Sequence, residues 1–359
     1  MFDIDLLCST GRKDGSEAMR TLMFLSLVGA LSCGKSTPEP AVMDVQDSGF
    51  IAPLRVVFIA DTHVIGPQYE CCSESAGIDN DSIMRTPERL AKTVTEINLI
   101  DPPPSHVFVL GDVVHAAHHG TDMAWYTSGE NAFSRASELL SGLNMPVHIL
   151  WGNHDYEVSC GGGEGHHSRA FTHGLFSHFF GAAPYGSVDA GGWRFVLLNS
   201  QLGPTWDAEG SECATNMGSY GSEQLAWLDE QLEDGKPSIV MSHHHMIAST
   251  ARNENDGPNP DLSTVLGRHD NVSAHLAGHL HRWVDLDATE VHPVRHIILG
   301  ATRYDTDNFW LVEFGAAGDI EIVDYDKPKW STTCSETWSY TAGAAGPVVS
   351  AVEEGDCGT

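Results

Sequence analysis

The chain has 359 residues, 41% hydrophobic and 8% aromatic, enough apolar mass for one large or two small globular domains and too much for a disordered polymer. Lys and Arg number 19 against 49 Asp and Glu, a formal charge of −30. A surface that negative repels nucleic acid and anionic lipid headgroups, so an anionic substrate requires a local cation at its site.

The first feature in chain order is an export signal. From Met19 the chain reads "MRTLMFLSLVGALSCGKSTPEP": a short basic start, an apolar run from Leu22 to Leu31, small residues and Cys33. That is the order of a secretory signal peptide, and the run is too short to span a bilayer. Residues 1–18 are polar and acidic, which leaves both Met1 and Met19 as candidate starts. The small residues before Cys33 resemble a bacterial lipoprotein cleavage site, which would leave Cys33 lipidated. Ala30-Leu31 departs from that pattern, which has Leu followed by a small residue. The expectation is an export signal over 1–33 and a flexible linker over 34–52, in a protein that is periplasmic, outer-membrane-anchored or extracellular.

Beyond Cys33 six cysteines remain. An even number in an exported chain points to disulfides, with 15 possible pairings, and no C-x-x-C suggests a zinc ribbon. Cys334 and Cys357 are expected to pin a Gly- and Ser-rich tail over 327–359. Cys71 and Cys72, being adjacent, should each seek a distant partner, with Cys160 and Cys213 in that role.

Short runs rich in Val, Ile and Leu occupy 54–60, 106–110, 147–150, 238–242 and 272–277, with further candidates at 193–199, 295–299 and 309–314. Near-continuous apolar runs of this length read as strands buried on both faces. Between them lie amphipathic segments. One has Thr86 as N-cap, Pro87 at the first helical position, and Leu90, Val94 and Ile97 on one face. Another has Ser222 as cap and Leu225, Leu228 and Leu232 as its stripe. Strands alternating with helices predict a layered α/β domain.

The ends of these runs share a pattern. The first run ends in Asp61-Thr62-His63 and the second in Gly111-Asp112. The third passes Trp151 into Gly152-Asn153-His154-Asp155. The fourth ends in His243-His244-His245 and the fifth in Gly278-His279-Leu280-His281. Each motif alone is an ordinary turn. Five strands with polar ends on the edge where α/β sheets bind ligands make a constellation. Asp61, His63, Asp112, Asn153, His243, His279 and His281 offer oxygen and imidazole donors without a thiolate. Seven donors serve two four-ligand sites if one carboxylate is shared, and Asp112, alone after its glycine, is the natural bridge.

These blocks, in this order across residues 55–282, resemble the calcineurin-like metallophosphoesterase superfamily. The segments "WRFVLLNS" and "GSEQLAWLDEQL" resemble its connecting elements. The resemblance implies an α/β four-layer αββα sandwich of two mixed β-sheets flanked by helices, over residues 53–326, with the site at the C-terminal ends of strands. It implies two divalent or trivalent metal ions, with Mn, Fe and Zn all suited to N/O ligands. One metal would take Asp61, His63, Asp112 and His281, the other Asp112, Asn153, His243 and His279. By the same resemblance His154 contacts the phosphoryl group and protonates the leaving oxygen. Asp155 would orient its imidazole, and Gly152 would permit the sharp turn.

His115 stands where purple acid phosphatases carry an iron-binding tyrosine, which argues against a ferric-tyrosinate site and places His115 on the pocket wall. Arg169, on the loop with His166 and His167, could clamp phosphate, and His244 should line the substrate face. The expected function is an exported phosphoesterase acting on small phosphomonoesters or phosphodiesters. The expected partners are a small phosphoester and no nucleic acid, with membrane contact through an N-terminal lipid anchor. The alternatives are a non-catalytic, metal-stabilised surface binding protein and another metal-dependent hydrolase. Amidohydrolases open with H-x-H, whereas this chain has D-T-H.

Overall fold

The computed structural model describes residues 53–323 except 71–81, 157, 159, 161–167, 212, 216–217, 246–261, 282, 289–292 and 317, together with 336–339 and 348–351. The export signal, the linker to residue 52, Cys71, Cys72, Cys334, Cys357, His166 and His167 lie outside the described residues.

The apolar runs form two sheets. In the first, β1 (Leu54–Ile59), β2 (His106–Leu110) and β3 (Val147–Leu150) are parallel, while β10 (Phe309–Phe314) and β11 (Ile320–Ile322) extend it beyond β1 in antiparallel pairing. The second contains β5 (Trp193–Leu197), β6 (Ser238–Met241), β7 (Val272–Ala277) and β9 (Arg295–Ile298), all parallel. It is edged by β4 (Gly186–Ala190) and β8 (Val284–Leu286), both antiparallel.

Strand residues alternate between two cores, which is why the runs are apolar throughout. Val56, Phe58, Phe108 and Leu110 point between the sheets, against Phe195, Met241, Leu276 and Phe314. Phe108 stacks on Phe58 and Phe195 with ring centroids 5.6 and 5.0 Å apart. Val57, Ile59, Val107 and Val109 point outward to α1 (Thr86–Asn98), α3 (Ala132–Leu140) and α4 (Arg169–Phe180) through Leu90, Ile97, Phe133 and Phe176. On the second sheet Val196, Val240 and Val272 meet α5 (Ser222–Leu232) and α6 (Leu262–Leu266). The architecture is therefore the four-layer αββα sandwich.

Three local expectations need correction. Thr86 does not cap α1. The N-cap is Arg85, and the buried Thr86 hydroxyl donates to the Ile83 carbonyl at 2.9 Å. Ser222 is the first residue of α5, whose N-cap is Gly221 at φ +80 with no side-chain cap. Cys160 and Cys213 pair with each other, not with Cys71 and Cys72. The loops after β3 and β5 lie side by side, a proximity created by the sheet order and invisible in the spacing of 53 residues. Within the segment expected as a disulfide-pinned tail, Glu336–Ser339 and Val348–Ala351 pair as a two-stranded antiparallel ribbon.

Several of the 20 histidines are core residues. His275 and His296, on adjacent strands of the second sheet, are fully buried. Their Nδ1 atoms lie 2.9 Å apart, and His275 Nε2 meets the Ser242 hydroxyl at 2.8 Å.

Candidate metal centre

Because β1, β2 and β3 run parallel, their C-terminal ends share one edge, and β6 and β7 bring a second edge to the same place. Past β1 the chain keeps pairing with the segment past β2. Asp61 N donates to Gly111 O (3.1 Å), His63 N to Asp112 O (2.9 Å) and Val64 N to Val113 O (2.9 Å). Holding that course turns Asp61 (φ +52), His63 (+47) and Asp112 (+50) into the left-handed region, and His279 (+70) and His281 (+56) do the same on the other sheet. Such backbone costs roughly 1–3 kcal/mol per residue in L-amino acids and concentrates at functional sites. Two glycines make room. A Cβ on Gly278 would stand 2.7 Å from Asp61 Oδ2, and one on Gly152 would stand 2.8 Å from Asp112 Cγ. Gly152 has φ −107, so its role is close approach to Asp112 and not the sharp turn expected of it.

Two groups of donors meet at Asp112: Asp61, His63, Asp112 and His281, and Asp112, His243 and His279; a third close group among the described residues, His63, His115 and His154, is all imidazole and lies on the rim side of His63. In the first, His281 Nε2 lies 3.3 Å from Asp61 Oδ1 and 3.1 Å from His63 Nε2, which is 3.5 Å from Asp112 Oδ2. In the second, His243 Nε2 lies 3.2 Å from Asp112 Oδ2 and 3.0 Å from Asn153 Oδ1, and His279 Nδ1 is 2.8 Å from that same oxygen. His243 Nδ1–H donates to Leu110 O at 2.8 Å, so the neutral ring turns a bare Nε2 toward Asp112 and Asn153.

These separations fit cations. Ligand bonds of about 2.0–2.2 Å place neighbouring donors ~3.0–3.4 Å apart in tetrahedral or octahedral shells, and an all N/O set suits Mn, Fe or Zn. Electrostatics agrees. Burial holds His63 and His279 well below the usual imidazole range, keeping them in the form that ligates. Burial also acts to lower His243, but the Asp112 carboxylate outweighs it and raises the group to about 9. Without a cation, then, His243 is an imidazolium paired to Asp112, and a metal would displace its proton.

His154 stands on the rim, partly exposed, its ring centroid 4.8 Å from those of both His63 and His115, and its main-chain N donates to Asp112 Oδ1 at 2.7 Å. Asp155 does not orient that imidazole. Its buried oxygens accept from the main-chain N of Gly152 (2.8 Å), Val113 (2.9 Å) and Val114 (3.1 Å), tying the β2 and β3 loops together. Burial and the Asp112 charge push Asp155 up to about 8, against those donors. His115 stacks on His154 and offers Nδ1 to His63 Nδ1 at 3.2 Å. Burial, then the His154 and Arg303 charges, hold it down to about 4.

His244 does not line a substrate face. It is fully buried behind His279, and Ser200 Oγ meets its Nδ1 at 2.7 Å. Arg169 donates to the Gly203 carbonyl, bracing the loop after β5 where a phosphate clamp was expected.

Sequence reasoning missed Arg303 and Tyr304. The loop after β9 reaches the centre through Thr302 N to Ala60 O (2.9 Å) and Arg303 N to Asp61 O (3.2 Å). The buried Arg303 guanidinium depresses His63 and His115, and the Tyr304 ring lies 5.6 Å from that of His281. The signal was available, because "RHIIL" is a further apolar run of the same kind and is followed by Gly-Ala-Thr-Arg-Tyr.

Comparison with known proteins matches residues 54–283 to the calcineurin-like phosphoesterase family. The 3',5'-cyclic adenosine monophosphate phosphodiesterase CpdA of Escherichia coli K12 is 25% identical over 249 residues, covering 66% of this chain and 72% of that protein. A Synechococcus protein named "Probable cyclic nucleotide phosphodiesterase" is 28% identical over 161 residues, 42% of this chain and about half (52%) of the relative's length. Among solved structures, a dimetal phosphatase from Danio rerio aligns with a TM-score of 0.49 and 17% identity, over 73% of this chain and 93% of that one.

Proposed function

Since the chain belongs to the calcineurin-like phosphoesterase family, hydrolases of phosphoester bonds with a dimetal centre, we propose that it hydrolyses small phosphomonoesters or phosphodiesters with Asp112 as the ligand common to both metals. Asp61, His63 and His281 complete one site and Asn153, His243 and His279 the other. The observation that carries the reading is that two mixed carboxylate–imidazole donor groups meet at Asp112. When bound, the two cations lower the pKa of a water, polarise the phosphoryl oxygens and offset charge developing in an in-line displacement. Cations held by these residues would also offset the repulsion of an anionic substrate by a protein of net charge −30. His154, beside both groups and anchored to Asp112 only through its main-chain N, contacts the phosphoryl group and protonates the leaving oxygen. The cyclic nucleotide esters named for the two curated relatives favour diesters.

Asp112→Ala tests the assignment. Hydrolysis should vanish and both metals should be lost, whereas two tightly bound metals with full activity would refute it. A panel of nitrophenyl mono- and diesters, cyclic nucleotides and glycerophosphodiesters on the metal-loaded protein resolves the substrate class.

From the N-terminal segment up to Cys33 we infer separately that the protein acts outside the cytoplasm, released or anchored through Cys33. The Cys160–Cys213 disulfide supports it, since such bonds persist in oxidising compartments. Mass spectrometry of the native protein should find a terminus at Cys33. An intact Met1 would reject export cleavage and lipidation together.

A further inference from the structure

A cleft of 390 Å³ opens beside the metal centre, its lining including Asn153, His154, Tyr156, Val158, Trp206 and Thr215. Asn153 and His154 thus belong to both cleft and centre, so a group seated in it joins the reacting phosphate on the His154 side. The volume is within the range of small-molecule sites, about 300–1,000 Å³.

We propose that this cleft is a subsite for a flat, uncharged organic group esterified to the phosphate, aryl or heterocyclic, with the Cys160–Cys213 bridge joining its two walls. The inference rests on the phosphoesterase reading of the centre.

Charge is the first argument. In a chain with 49 carboxylate residues, the described residues of the cleft wall include no Asp or Glu and no Lys or Arg. A neutral ring enters such a wall at little cost in solvation, while a second phosphate would meet no Lys or Arg among the described residues to offset its desolvation. The walls are also aromatic and already in place. The Tyr156 hydroxyl accepts from Asn199 Nδ2 at 2.7 Å and meets His173 Nε2 at 3.0 Å. Trp206 packs 5.9 Å from Tyr156, in a turn braced by Gly203 N to Ser219 O (2.9 Å) and Ala214 N to Thr205 O (2.8 Å). Tyr156 and Val158 come from the loop after β3, Trp206 and Thr215 from the loop after β5. The disulfide joins these two loops, one residue from each. A pre-organised pocket loses less free energy on ordering its ligand than a mobile one.

The test uses the full chain loaded with Mn²⁺ and two readouts. The first is equilibrium binding of 4-methylumbelliferone, the alcohol alone. Saturable binding is expected, weakened at least about tenfold in Thr215→Trp, which fills the cleft, and weakened also in the Cys160→Ser, Cys213→Ser double variant. The second compares 4-methylumbelliferyl phosphate with acetyl phosphate, both with activated leaving groups of different size. Thr215→Trp should lower kcat/KM for the first at least about tenfold and leave the second within about twofold, at unchanged metal content. Absence of umbelliferone binding, or equal effects on both substrates, overturns the subsite. Full affinity in the double serine variant overturns the role of the bridge. If the metal-loaded wild type hydrolyses no phosphoester, the reading of the centre fails, and umbelliferone binding then decides the cleft independently.

Discussion

Gly152→Ala is the smallest change that should disable the centre. The added Cβ would stand 2.8 Å from Asp112 Cγ, with Asp112 Oδ1 and N nearer still, whereas ordinary contact begins at 3.4 Å. Opening that gap moves the carboxylate by about 0.6 Å or more, against a tolerance of about ±0.2 Å in metal–ligand distance. Asp112 belongs to both donor groups, so both metals should weaken together. Gly152 N also donates to Asp155, and the crowded loops cannot yield without disturbing that bond. The expected outcome is loss of tight binding at both positions and a fall in kcat of roughly 10²-fold at saturating metal. The fold should lose about 1–3 kcal/mol, the usual cost of overpacking. Metal analysis, denaturant unfolding and nitrophenyl ester hydrolysis measure the three effects. Gly186→Ala is the control, since nothing lies within 4 Å of its added Cβ. A Gly152→Ala protein with two tightly bound metals and wild-type turnover would refute the idea that Asp112 is held by the absence of a side chain there.

His154→Ala should leave metal content intact and slow an alkyl ester by roughly 10²–10⁴. Nitrophenyl esters, whose leaving group needs no proton, should suffer less, and loss of metal would show that His154 is a ligand. Asp155→Ala leaves three main-chain donors without their acceptor and should cost roughly 3–5 kcal/mol in denaturant unfolding. Unchanged stability with impaired turnover would instead restore Asp155 as the partner of His154. In metal-free protein, His243 is raised above its ordinary 6.5 to about 9. Its stabilisation is therefore full below pH 6.5 and lost as pH rises through about 9. His63, His244 and His279 are lowered, so they act oppositely but only below about 6.5. Asp155, raised to about 8, adds a fall of the same sign that ends near pH 8. The Tm of metal-free protein should therefore fall between about pH 6.5 and 9, and His243→Gln should flatten the part above pH 8; a slope unchanged there in this variant would assign it to another group.

The seven donors were legible in the sequence because each comes after an apolar run, and a run plus its polar end survives as a local pattern wherever the strand is placed. The sandwich was legible too, through alternating elements and the resemblance they carry. What required tertiary structure were the relations between loops. No spacing reveals that Asp155 faces three main-chain amides and not the adjacent imidazole, because its partners Val113 and Val114 arrive from the loop after β2, 42 and 41 residues away. The pairing of Cys160 with Cys213, the burial of His244 behind His279 and the approach of Arg303 to Asp61 result likewise from which strand ends are neighbours. Gly152 shows the division within one residue. Its presence in a turn is a sequence fact, but the reason for it is the Asp112 carboxylate, which only the packed sheet edge brings against it.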